Sequence, residues 1–361
     1  MKRKLKKATL KDIAALLDVT TATVSKALKD SPDISCKMKK KVRRIAEQVG
    51  YRPNILARSL VKGHQIFIGV IIPDLKISFF SELTRGIYEQ ARTKGYLPII
   101  LVNDDNKNIE RENIDFLSSF PLSGLLIDPA PGNDNIPMLE KFHDQGISVI
   151  TVDRILEGTL FDGICIDDEQ AAFELVNYMI KQGRRRIIYM GPNRGISVAK
   201  GRFAGYSKAL KANGIDFNPK WHLSCDVHAG QAEDVLTKAI DNKIQLDAVL
   251  CVGGLIAFGA GRALLTHNYR IPEEVMIAEF GDNDIVSRLG VSFVTVNQSP
   301  YEMGKRAIDL LLTSENKRKS GKKQQRFIIG SKIILRQTGI GHDIVIYEGE
   351  NGKNVFKIND D

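Results

Sequence analysis

Thr9, Thr20, Thr21, Thr23, Ser25, Lys26 and Lys29 set hydroxyl and ammonium groups at short intervals near one end of a 361-residue chain. Groups of this kind donate to phosphate oxygens or to the edges of bases, and their spacing matches no catalytic set. Nothing elsewhere supplies one. The chain has no G-x-S-x-G, no G-x-x-x-x-G-K-[ST] and no H-E-x-x-H, and His64, His143, His222, His228, His267 and His342 are scattered. Gly259-Ala260-Gly261 lacks the third glycine of a dinucleotide fingerprint and sits in a helical pattern, so it reads as close helix packing. Cys36, Cys165, Cys225 and Cys251 lie far apart without a C-x-x-C, which argues against zinc and fits buried free thiols in a reducing compartment. No cofactor, no metal and no enzymatic activity are expected.

Charge says which end meets a polyanion. Residues 1–62 carry 17 Lys/Arg against 5 Asp/Glu, a net of +12, whereas the whole chain is +9, leaving −3 for residues 63–361. The basic character therefore belongs to the same stretch as the hydroxyls, as expected of a nucleic-acid-binding head on a body that meets something else. Met1–Lys7 is lysine-rich but has no apolar core of a signal peptide, and no run approaches the length of a membrane span.

Three short helices must position these groups. Thr9 with Asp12 three residues on is a capping-box start, and Ile13, Ala14, Leu16 and Leu17 supply an apolar stripe. Asp18-Val19-Thr20 breaks the pattern with a residue that tolerates the left-handed conformation. Thr20 caps a second helix, Thr21 to Lys29, whose inner face is Val24, Ala27 and Leu28. Ser35 starts a third, with Val42, Ile45, Ala46 and Val49 inward and Gly50 at its C-terminal end. This is a helix-turn-helix unit, in which the second helix presents its outer residues to the major groove. Those residues are Thr21, Ala22, Ser25, Lys26 and Lys29. Lys26 suits guanine, Thr21 or Ala22 a thymine methyl, and Thr9, Thr23 and Ser25 phosphates.

ATLKDIA, then VTTATVSKAL, then GYRPNILARSL occur in this order and spacing across residues 8–62, and the set resembles the N-terminal signature of the lactose-repressor (LacI/GalR) family. The resemblance implies a hinge helix over 54–61, ordered when a dimer sits on its operator. It adds Thr20, Tyr51, Asn54, Ala57, Arg58 and Leu60 to the DNA-contacting set. Leu60 matches a leucine wedged into a central minor-groove step, and Arg58 would lie against phosphate. Without the family, Leu56 and Leu60, four residues apart, read more readily as ordinary core, so the wedge assignment rests on the resemblance.

From residue 66 the pattern becomes strand, helix, strand. IFIGVIIP, LPIILVN, GLLID and ISVITVD alternate with helical stretches, and a second series begins near Asp168 with RIIYMG, AVLCV, VMIAEF and VSFVTVN. Such alternation implies α/β architecture with doubly wound parallel sheets, and two series imply two lobes. A helix from Tyr301 to Leu312 and a strand over 326–335 follow. The body resembles the periplasmic-binding-protein type I fold that the same family carries. The expected domains are a helix-turn-helix head over 1–52, a hinge or linker over 53–63, an effector-binding and dimerisation body over 64–340, and a polar C-terminal extension over 341–361. Lobe 1 would take about 64–165 and 296–327, and lobe 2 about 166–295 and 328–340.

In that fold a ligand binds between the lobes, at the C-terminal ends of strands. The family pattern places Phe79, Phe80, Asp128, Asp153, Arg202 and Asp282 there. Phe79 and Phe80 fit a ligand platform or the core, Asp153 a ligand contact or a loop cap, and Arg202 the arginine that grips polar ligand groups. Gly254-Leu255 and Gly281 stand where many members have aspartates, which departs from the ordinary hexose grip and leaves a sugar-like or nucleoside-like effector. The resemblance implies a homodimer on a palindromic operator, acting as a repressor in the cytoplasm. A solute carrier on the same body would leave the basic head unexplained, and a non-specific architectural DNA binder would leave the body unexplained.

Overall fold

The computed structural model describes residues 8–51, 66–192, 195–281, 284–314, 324–337, 344–350 and 353–355. The chain packs as two units that divide at residue 66.

The first unit holds α1 (Leu10–Leu17), α2 (Thr21–Leu28) and α3 (Cys36–Gln48). Thr9 closes a reciprocal capping box with Asp12, and Asp18 ends α1 at φ 50, ψ 49, the left-handed conformation that turns the chain toward α2. At the end of α3, Gly50 takes φ +65, its N–H reaching Glu47 O at 3.1 Å and that of Tyr51 reaching Ala46 O at 2.8 Å, a Schellman closure. Ile13, Ala14, Val24, Ala27, Val42 and Ala46 form the core. Each fully buried Ile or Val contributes about 1.5–3 kcal/mol, enough to hold a small domain once the helix ends are capped. Leu16 departs from the expected stripe and is 61% exposed, because it falls on the flank of the α1 face that Ile13, Ala14 and Leu17 turn to the core.

The second unit contains two sheets. One has the order β11-β5-β4-β3-β1-β2, with β1 (Phe67–Ile72), β2 (Leu97–Val102), β3 (Leu122–Ile127), β4 (Ser148–Val152), β5 (Asp162–Cys165) and β11 (Arg326–Ile328), all parallel. The other contains β6 (Ile187–Gly191), β7 (His222–Ser224), β8 (Ala248–Cys251), β9 (Met276–Phe280) and β10 (Phe293–Asn297) in parallel, followed by β12 (Lys332–Arg336), β13 (Ile344–Glu350) and β14 (Lys353–Val355) in antiparallel. The chain thus passes between sheets after β5, after β10 and after β11.

Two expectations are corrected. Residues 326–335 are not one strand: β11 and β12 belong to different sheets, and Ile329 N–H donates to Cys165 O at 2.8 Å where the chain crosses. The C-terminal extension, expected to be only a polar tail, supplies β13 and β14, with Ile346 packed against the core.

Helices cover the sheets: α4 (Ser78–Thr93), α5 (Lys107–Ser118), α6 (Ile136–Asp144), α7 (Asp168–Lys181), α8 (Ser197–Ala212), α9 (Ala229–Asp241), α10 (Gly254–Thr266), the short α11 (Asp284–Ser287) and α12 (Pro300–Ser314). Gly259 lets α10 approach α9 until a Cβ would stand 2.0 Å from Ala229 O, the close packing its sequence context suggests. Among the cysteines, Cys165, Cys225 and Cys251 are buried free thiols, whereas Cys36, at the start of α3, is exposed. Among the described residues no helix is long and apolar enough to cross a membrane.

Candidate functional site

On the head, α2 carries the candidate contact residues along one side. Thr21, Ala22, Lys26 and Lys29 are exposed and Ser25 is half-buried, while Val24 and Ala27 turn inward. Thr20 is held as the N-cap, its Oγ1 accepting from Thr23 N at 3.1 Å and meeting the Thr23 hydroxyl at 3.0 Å. Thr9 donates from both N and Oγ1 to Asp12 Oδ2 at 2.7 Å. These three threonines therefore fix the helix ends that orient α2. Tyr51 packs against the head core. Lys26 is not a free cation: Asp33 Oδ2 accepts from its Nζ at 2.5 Å. No motif in the sequence pointed to Asp33, because the contact depends on how the turn after α2 folds back. Asn54, Ala57, Arg58 and Leu60 lie outside the described residues, as does Asp282.

In the second unit a cavity of about 330 Å³ opens where the strand ends of the two sheets face one another. Asp74, Asp104 and Asp105, and Asp153 come from the turns after β1, β2 and β4. Val252 to Leu255, Phe280-Gly281 and Gln298 come from the ends of β8, β9 and β10. Helix α8 contributes Val198, Ala199 and Arg202.

Arg202 organises one wall. Its Nε donates to Asp168 Oδ1 at 2.8 Å, one terminal nitrogen to Val252 O at 2.7 Å and the other to Gln298 Oε1 at 2.7 Å. The guanidinium carbon lies 4.1 Å from the Phe280 ring centroid. Burial lifts the Asp168 carboxyl to about 6, with Arg202 pulling the other way.

Asp153 sits at φ 63, in the left-handed region, with its carboxylate buried against the cavity. Burial raises its carboxyl pKa, opposed by Arg202 and Arg154. Among the described residues its Oδ1 has no hydrogen-bond partner. An acceptor kept dry and unpaired beside a cavity is set to receive a donor from a ligand.

Phe79 and Phe80, at the start of α4, meet edge to face with centroids 5.1 Å apart. Both line the cavity and both belong to the core, so the two readings of this pair coexist. Asp128 does not line the cavity. Its fully buried carboxylate lies behind it, 3.3 Å from Arg154 Nε, and burial holds its carboxyl well above the usual range. Arg154 joins the site unforeseen, bonded to Asp105 and to Pro129 O at 3.1 Å. Its only sequence signal was its place directly after Asp153. Among the described residues, five carboxylates (Asp74, Asp104, Asp105, Asp153 and Asp226) line the cavity against the two guanidiniums of Arg154 and Arg202.

A capped helix-turn-helix head and a two-sheet body with a cleft at its strand ends define a protein of the periplasmic-binding type I architecture joined to a DNA-binding module. Two family models agree with that division: "Bacterial regulatory proteins, lacI family" matches residues 9–54, and "Periplasmic binding proteins and sugar binding domain of LacI family" matches residues 65–331. The chain belongs to the LacI family of bacterial regulatory proteins. It is 27% identical to the HTH-type transcriptional regulator RegA of Clostridium saccharobutylicum over 92% of this chain and 99% of that protein. It is 28% identical to the HTH-type transcriptional repressor CytR of Escherichia coli K12 over 84% of this chain and 89% of that protein. A solved Lac repressor dimer bound to operator and the anti-inducer ONPF shares the fold with a TM-score of 0.78 at 21% identity, over 92% of this chain and 98% of that one. Both of these matched relatives are transcriptional regulators by name.

Proposed function

We propose that this chain is a homodimeric, cytoplasmic repressor that binds a palindromic operator and changes its affinity when a small molecule enters the cleft. The observation that carries this reading is the presence in one chain of both α2, with its exposed Thr21, Ala22 and Lys26, and a cleft where the buried Asp153 Oδ1 has no partner among the described residues. A twofold dimer supplies two such helices to the two half-sites. The relatives' names and the operator-bound Lac repressor dimer support the DNA partner and the dimer.

The charge of the cleft narrows the effector. Among the described residues, five aspartates against two arginines disfavour a phosphorylated or carboxylated ligand, and each of these arginines is already engaged with protein acids. An uncharged, hydroxyl-rich sugar or nucleoside suits this lining: hydroxyls donate to Asp153, and a ring face rests on Phe79 or Phe80. Binding that favours one arrangement of the lobes over another changes DNA affinity by the difference in binding free energy between the two.

The test is selection of operator from a random DNA pool by the purified protein, with sugars, nucleosides and their phosphate esters added in turn. An enriched palindrome whose affinity shifts with an uncharged compound supports the whole reading. A shift caused only by a phosphate ester overturns the effector class, and the absence of any enriched sequence overturns operator recognition.

A further inference from the structure

Two of the head's acids lie in the turn directly after α2, and both hold cations. Asp30 takes Arg43 through its carboxylate and Lys39 through its carbonyl, the latter at 3.1 Å. Asp33 is fixed from both sides: Oδ2 accepts from Lys26 Nζ at 2.5 Å, and Oδ1 accepts from the Ser31 hydroxyl. Ser31 N–H in turn donates to Lys26 O at 3.1 Å, closing a small ring of contacts from the lysine back to itself. The bonds from Lys26 and then Ser31 hold the Asp33 carboxyl at about 2, so it is ionised wherever DNA binding is measured. The two side chains are 56% and 48% exposed, so the pair lies in water and can exchange partners.

We infer that Asp33 is a selectivity residue that withholds Lys26 from sequence-independent phosphate contacts, and this rests on the reading of the head as a DNA reader. An ammonium held by a carboxylate of its own protein does not neutralise a phosphate, so Lys26 releases no condensed counterion from the DNA and adds little to the polyelectrolyte term. A phosphate that approaches it must displace a carboxylate or sit beside one, which gains nothing or costs repulsion. A guanine edge is different. The lysine has three donors, so one can stay on Asp33 while others reach O6 and N7, and the uncharged base does not repel the acid. Asp33 therefore weakens binding to arbitrary sequence more than binding to the operator.

The test uses the full-length protein with Asp33→Asn, Asp33→Glu, Lys26→Gln and the Lys26→Gln/Asp33→Asn double variant. The probe is a mixed-sequence duplex titrated across a range of salt. Asp33→Asn should bind it more tightly at low salt and steepen the slope of log K against log salt by ~0.9, about a 3.5-fold steeper loss over a fourfold rise in salt. Asp33→Glu should behave as the original protein, and the double variant should match Lys26→Gln. An unchanged slope in Asp33→Asn overturns the inference. So does an equal rise in the Lys26→Gln background, which would mark a net-charge effect that does not pass through Lys26. If the unsubstituted protein shows no salt-dependent DNA binding, the DNA reading of the head fails first.

Discussion

Arg202 and Asp168 meet at 2.8 Å on the wall of the cleft, with side chains 6% and 11% exposed. The same guanidinium holds Val252 O and Gln298, so one side chain ties α8 to the start of α7 and to the ends of β8 and β10. Among the described residues, Asp153 has no such partner for its Oδ1. The two charged residues at the heart of the cleft thus differ in kind. Arg202 is satisfied before a ligand arrives, whereas Asp153 waits for a donor.

Replacing Arg202 by methionine should destabilise the body by ~3–5 kcal/mol at neutral pH, since removal of one partner strands a buried charge. The loss should shrink at mildly acidic pH, where Asp168, lifted to about 6, takes up a proton and no longer needs the cation. Urea melts at two pH values check this. Equal loss at both would mean that Arg202 acts through packing on Phe280 and not through charge. The variant should also lose any response to effector while keeping effector-free DNA binding.

Asp168 sets a second pH dependence. Its carboxyl lies near 6 in the folded chain, against an ordinary value of 3.8. A raised acid binds its proton more tightly when folded, so its stabilising contribution is complete below about pH 4 and is lost as pH rises through 6. Asp168→Asn cannot titrate. Its stability relative to the original protein should therefore rise between pH 4 and pH 6 and level off above pH 7. Parallel stability curves for the two proteins across that window would rule out Asp168 as the titrating group.

Thr20→Ala removes the N-cap of α2 and should cost the head ~1 kcal/mol, the usual value of a lost hydroxyl cap. Thr20→Ser should restore it, since the acceptor to Thr23 N remains. DNA affinity should follow the same order, because α2 must be formed to be read. Amide exchange of the head separates the two roles. Weaker DNA binding with unchanged exchange would place Thr20 in direct contact with DNA instead of at the cap.

The head was legible in the sequence because its signals are local. Thr9 to Asp12, Asp18, Thr20 and Gly50 each act within a few residues, and each adopts the geometry its type favours. The alternating body was legible for the same reason, since parallel strands read as apolar runs and helices as stripes. What escaped depended on distant partners. Asp33 meets Lys26 only through a folded turn, and Arg154 meets Asp105 and Asp128 only after three strand ends converge. RFIIGSKIIL reads as one strand because nothing in its alternation marks the crossing at residue 329 between two sheets. The final segment reads as a polar tail because the charged, Gly and Asn residues around it outweigh the single short apolar run Ile344-Val345-Ile346-Tyr347, which pairs with β12 only after the chain folds back. Asp128 was indistinguishable from Asp153 by position at a strand end. Its full burial behind Arg154 depends on the tertiary layer.

Gly304 gives a test of the body that does not touch the cleft. A Cβ there would stand 2.2 Å from Leu83 O, and one at Gly86 would stand 2.1 Å from Tyr301 O, so α4 and α12 run backbone against backbone. Neither contact can yield by rotating a side chain. Gly304→Ala should therefore push the helices apart and cost ~1–3 kcal/mol or more, as overpacking does, although alanine favours a helix by ~1 kcal/mol over glycine. Helix α12 follows the second crossing between sheets and packs on the first, so the cost should appear in the urea transition of the body and leave the amide exchange of the head unchanged. A body transition at the original midpoint would show that the two helices separate freely, and the close approach of Gly86 and Gly304 would then carry no stability.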